Sequence, residues 1–179
     1  MYVMIPNKRF VRDLTRAAVC LTLCMVLPFL TGQIPEVGSM LSPMHIPVLL
    51  AGFLCGPLWA LTVGAVAPML RFFLFGMPPP FPTGLAMCFE LAAYGLVSGV
   101  LYRLLPKKTV NIYVSLVTAM LAGRIVWGCV MVVLSGVSGA AFTWAAFLAA
   151  AFTNAIPGII IHILLIPVLV LAVQRAESK

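Results

Sequence analysis

The chain has 179 residues, of which 63% are hydrophobic and only 8% charged, with a net charge of +7. A soluble domain carries roughly 25% charged residues, so this composition excludes a water-facing globule and puts the chain in a bilayer. Most cations border apolar segments and form no stripe interleaved with aromatics, so the positive balance is read as topology and excludes a nucleic-acid partner.

The first apolar run covers about residues 14–30 and carries Ala17, Ala18, Cys20, Thr22 and Cys24. It has no convincing small-residue cleavage site after it, so it is read as a retained span rather than a signal peptide. Further runs follow at about 43–55, 57–75, 83–105, 109–135 and 153–173, against the roughly 20 residues a spanning helix needs. The second run is short, and Gly56-Pro57 separates it from the third. Six spans bring Lys8, Arg9, Arg12, Arg16, Arg103, Lys107, Lys108, Arg175 and Lys179 to one side, whereas five would export the 103–108 cluster. The expectation is an all-α integral membrane protein, a compact bundle of six transmembrane helices with both termini cytoplasmic. It forms a single membrane domain over 1–179: an N-terminal segment 1–13, the bundle 14–173 and a tail 174–179.

The external loops are then 31–42, 76–82 and about 136–152. "GMPPPFP" (76–82) is stiff and non-helical because proline fixes φ and removes a donor. A single helix from Ala140 to Val173 would measure about 50 Å, longer than a bilayer is thick. A break is therefore expected near "TNAIPG", with Asn154 capping the last span and Pro157 in its first turn. Small residues at four-residue spacing (Gly52 and Gly56, Ala60 and Gly64, Gly95 and Gly99) permit close helix approach in lipid. The five cysteines read as buried reduced thiols, with no metal set completed near Cys20 and Cys24.

Arg71, Glu90 and Arg124 are not explained by topology, and ionisable groups in hydrocarbon mark function or an internal pair. At about 1.5 Å per residue, Arg71 lies about 8 Å and Glu90 about 10 Å below the 76–82 loop. Arg124 lies about 24 Å above Lys108 in a core roughly 30 Å thick. All three fall in one layer of the outer half, joined by Asn154. His45 stands at the outer mouth, where Ser42 can cap its helix and Pro43 suits the first turn. A few polar groups on a mostly apolar background make a small-molecule site, with His45 at its rim.

Plainer readings stand beside that one. Arg71 and Glu90 can neutralise each other between adjacent helices. His45 can snorkel to the interface. Arg124 has no second acid within the apolar runs, so it is expected to want an anion. His162, two turns below Asn154, reads first as a satisfied core histidine and second as a ligand contact. Tyr94 and Trp127 sit at helical spacing from Glu90 and Arg124, which suits packing as well as ligand contact.

The set "SPMHIPVLLAGFLCGP", "APMLRFFLFGMPPPFP", "FELAAYGLVSG" and "NAIPGIIIHILLIP", on six short helices, resembles the S-components of energy-coupling factor (ECF) transporters over about residues 14–173. The resemblance implies a substrate-binding subunit of an ATP-driven importer in the bacterial cytoplasmic membrane. It implies a vitamin-like substrate held near the outer face, under the loops joining helices 1–2, 3–4 and 5–6. The implied partners are a transmembrane coupling subunit and two cytosolic ATPase subunits. ATP is used by those partners, because this chain carries no phosphate loop and is read as having no cofactor of its own. The family's first helix often docks through an Ala-xxx-Ala face; here Ala17, Ala18 and Thr22 supply a small-xxx-small version, with Gly56 at the inner turn. Arg71 and Arg124 favour a substrate with a carboxylate or phosphate.

The alternative is a self-sufficient secondary transporter or channel, against which stand the missing inverted repeat and the apolar inner half. An intramembrane enzyme is the third class, and no H-E-x-x-H, G-x-S-x-G or pair of membrane aspartates supports it.

Overall fold

The computed structural model describes residues 8–32, 34–139, 143–149, 153 and 155–177, and all regular structure among them is helical. Helix α1 (Lys8–Val26) runs into a tight turn, Leu27–Thr31, and a short helix α2 (Pro35–Leu41) follows. Then come α3 (His45–Leu54), α4 (Pro57–Phe75), α5 (Leu85–Leu104), α6 (Thr109–Ser138), α7 (Trp144–Leu148) and α8 (Ile156–Glu177).

Five helical stretches among the described residues are long and apolar enough to cross a membrane. The expected second span is not one of them. Helix α3 has ten residues, about 15 Å, half of a hydrocarbon core. It still carries the chain a long way down the bundle. Its last carbonyls, at Leu54 and Cys55, accept hydrogen bonds from Arg16 and Arg103, at 3.3 Å each. Those arginines belong to the start of α1 and the end of α5, and Gln174 near the end of α8 donates to the Tyr102 hydroxyl. The start of α1 and the ends of α3, α5 and α8 therefore lie near one another.

Chain punctuation explains the breaks. Gly56, at φ +96°, lets the chain reverse before Pro57 opens α4. Gly76, at φ +74°, closes α4 by donating to the Phe72 carbonyl at 2.7 Å. The expected loop 31–42 is instead largely structured, since Pro35 starts α2 and Ser42 ends it. Ser42 does not cap α3 with its side chain. It adopts a left-handed conformation and its N–H caps α2 on Gly38, at 2.9 Å. The break before α8 occurs where expected, with Pro157 in the first turn; Asn154 lies outside the described residues.

Helix α5 is the axis of the bundle, packing on α3, α4 and α6, while α8 packs on α2, α3 and α6. The small-residue pairs make this possible. A Cβ on Gly52 would stand 3.0 Å from the Gly95 carbonyl and 3.1 Å from the Gly99 nitrogen. One on Gly99 would be 2.7 Å from Pro57, and one on Gly95 would overlap Ala60. Backbones of α3, α4 and α5 therefore touch directly, as small-xxx-small faces allow in lipid. The outward surface is apolar: Phe73 and Val137 are each 78% exposed, which suits lipid and not water. Cys20, Cys24, Cys55 and Cys88 are buried free thiols, whereas Cys129 is exposed.

Candidate functional site

A cavity of about 390 Å³ opens where α3, α4, α5 and α6 diverge. One wall is the Leu27–Ser42 connection, contributing Pro28, Thr31, Ile34 and Gly38; another is the proline segment, contributing Met77, Pro78, Pro79 and Thr83. His45, Arg71, Glu90, Arg124 and Trp127 line it as well. Five residues singled out by depth and chemistry thus share one cavity, although they come from four helices.

Their pairing differs from the expectation. Glu90 does not pair with Arg71. Its Oε1 lies 2.9 Å from Arg124 Nη1 and 3.5 Å from His45 Nε2. Arg124 therefore has a membrane-embedded acid, one helix away. Neither contact is aligned as a hydrogen bond, and both ring nitrogens of His45 and Glu90 Oε1 have no hydrogen-bond partner among the described residues. The charges attract while part of their hydrogen-bonding capacity stays open.

Arg71 is held differently. It is only 3% exposed. Its Nη1 donates to the Met25 carbonyl at 2.6 Å. Its guanidinium lies 5.2 Å from the ring centres of both Phe29 and Phe75, a cation–π clamp. Among the described residues no carboxylate neutralises it.

Tyr94 and His162 stand behind the cavity wall rather than on it. Tyr94 lies one turn from Glu90 on α5, and its ring meets the His45 ring edge-on at 5.1 Å. Gly123 leaves room for that ring, since a Cβ there would overlap it. His162 stacks on His45 at 6.1 Å. His45 itself is 4% exposed, so it sits at the buried end of the cavity and neither at a solvent-facing rim nor snorkelling. Trp127 faces the cavity and stacks on Phe147, which stacks on Trp144.

The residues proposed for docking divide. Ala18 and Thr22 are exposed on α1, with the Thr22 hydroxyl bonded to the Ala18 carbonyl. Ala17 is buried in the core, and Gly56 is covered by the Arg103 guanidinium. These two are packing positions, not parts of an open face.

Sequence reasoning missed the Leu27–Ser42 wall and the methionines Met44, Met77 and Met87 that line the cavity. The "QIPEVGSMLSP" stretch did hold a signal, a proline that can open a helix, but no apolar period marks it.

The chain is thus a multi-pass helical membrane protein with a charged cavity of ligand size. The family model "ECF transporter, substrate-specific component" matches residues 12–170. The chain belongs to that family, whose members are substrate-binding subunits of transporters and not enzymes. No curated protein and no solved structure gives a match.

Proposed function

We propose that the chain captures a small water-soluble, vitamin-like molecule with an anionic group in the 390 Å³ cavity, for an importer powered by partner subunits. The observation that carries this reading is Arg71. It is a buried cation on the cavity wall, fixed by a carbonyl and two aromatic rings but neutralised by no acid among the described residues. A buried charge without a counter-charge is costly, so an anionic ligand supplies what the fold does not. The anion-binding role thus passes from Arg124, which Glu90 neutralises, to Arg71.

In this reading the cavity opens to the outside of a bacterial cytoplasmic membrane, the cationic end faces the cytoplasm, and the chain crosses six times with α3 as the short second crossing. A coupling subunit docks on the exposed face of α1 around Ala18 and Thr22, and two cytosolic ATPases supply the energy, with no cofactor in this chain. The experiment is to purify the tagged protein, extract what co-purifies and identify it by mass spectrometry, with competitive titration to follow. Recovery of an anionic micronutrient together with coupling and ATPase subunits is the expected result. ATP-independent uptake by the chain alone in liposomes would replace this reading with that of a secondary transporter.

A further inference from the structure

The lining of the cavity offers two kinds of chemistry, and we infer that its substrate is a monoanion with two kinds of group: a carboxylate for Arg71, and an uncharged part bearing N–H or O–H groups for Glu90 and His45. This rests on the proposed binding role of the cavity. The charges lining it among the described residues are Arg71, Arg124 and Glu90. Counted over those three side chains, two positive charges and one negative give +1. A monoanion cancels that sum. A dianion leaves −1 and a cation gives +2, each a buried net charge that the surrounding apolar wall disfavours.

The polar atoms decide which group of the ligand suits which residues. Glu90 Oε1 is an acceptor with no aligned donor, and His45 Nδ1 and Nε2 have no hydrogen-bond partner, although these side chains are 1% and 4% exposed. A ligand carboxylate placed there would face the Glu90 carboxylate. An amide, ureido or hydroxyl group satisfies the site instead, donating to Glu90 and exchanging a hydrogen bond with His45. Arg71 retains donors beyond the Nη1 bound to Met25, and its clamp between Phe29 and Phe75 fixes the guanidinium plane for an anion. Only one small molecule is accommodated, because about 390 Å³ lies near the lower end of ligand-pocket volumes.

The test uses the full chain in detergent, titrated by melting temperature and tryptophan fluorescence, with Trp127 at the cavity wall as the reporter. The probes are pantothenate and its neutral alcohol pantothenol, biotin and its methyl ester, nicotinate (a monoanion with no donor), folate (a dianion) and thiamine (a cation). The expected result is tightest binding by pantothenate or biotin. The matching neutral form binds about ten- to a hundred-fold more weakly, and nicotinate, folate and thiamine at least as weakly. Arg71→Met brings acid and neutral form within about threefold of each other. If that variant does not fold, the acid-to-neutral ratio on the parent decides alone. Tightest binding by thiamine, folate or nicotinate, or equal affinity for acid and neutral forms, overturns the monoanion inference and leaves the binding reading standing. If no probe moves either signal, both fall.

Discussion

At the cationic end of the bundle, Arg16 and Arg103 donate to the Leu54 and Cys55 carbonyls, the last of α3. At the cavity end, Arg124 faces a carboxylate and Arg71 a carbonyl between two rings. The first pair sits at a helix C-terminus, where unpaired carbonyls and the helix dipole attract cations and water is near. The second pair is inside the bundle, and each member needs a dedicated partner. One residue type thus does two jobs, closing a helix end in one place and building a charged cavity in the other. The difference lies in what a missing partner costs, and that cost can be measured.

The largest expected effect is at Glu90. Arg124→Met leaves a carboxylate that is 1% exposed without its counter-charge. Breaking a buried ion pair from one side costs about 3–5 kcal/mol. Melting curves of the parent, Arg124→Met, Glu90→Gln and the double variant should show a large drop for Arg124→Met and substantial recovery in the double. If the double variant is as unstable as Arg124→Met alone, the pair is not what holds this layer.

The next effect separates the small-residue seam from both polar ends. Gly95 lies against the Ala60 backbone and Gly64 against that of Leu91. Gly95→Ala or Gly64→Ala forces α4 and α5 apart, and overpacking of this kind costs about 1–3 kcal/mol. Glycines with open space, such as Gly136, should accept alanine with no loss of melting temperature. Equal sensitivity at Gly136 and Gly95 would mean that helix propensity, not backbone contact, governs these positions.

These two predictions also mark what the sequence could and could not disclose. Depth along the membrane follows from counting residues at 1.5 Å each, so Arg71, Glu90 and Arg124 were legible as one layer. The seams were legible because a four-residue spacing repeats on one helix face. Pairing was not, because it depends on how each helix is rotated about its axis, which packing across α3, α5 and α6 decides. That is why Glu90 reaches Arg124 and His45 rather than Arg71. The Leu27–Ser42 wall escaped for another reason. Its seven-residue helix α2 is too short to show a period, and the left-handed Ser42 that ends it has no sequence signature distinct from a side-chain cap.

A smaller effect belongs to the cationic end. Arg103→Met removes one partly buried hydrogen bond to a carbonyl, a loss of about 0.5–1.5 kcal/mol. Ligand titration of that variant should match the parent, because nothing at this end reaches the cavity. A loss of affinity as large as that of Arg71→Met would show that the two ends are coupled through α3, which joins them.

The smallest effect on the folded protein is expected at Ala18, and there the comparison becomes one of two faces of a single helix. Ala17 is buried at 4% exposure, while Ala18 is exposed on the same turn of α1. Ala17→Leu must push into the core and should lower the melting temperature. Ala18→Leu should change stability by less than about 0.5 kcal/mol, as for surface positions generally, and should leave ligand binding by the isolated protein intact. If Ala18 and Thr22 form the docking face for the coupling subunit, Ala18→Leu nevertheless holds the two helices apart, because small residues are what allow close approach in lipid. Uptake by cells that carry the whole transporter should then fall to background while purified Ala18→Leu binds normally. Normal uptake by Ala18→Leu would move the docking face away from this side of α1. Loss of binding together with uptake would make Ala18 a folding position, contrary to its exposure.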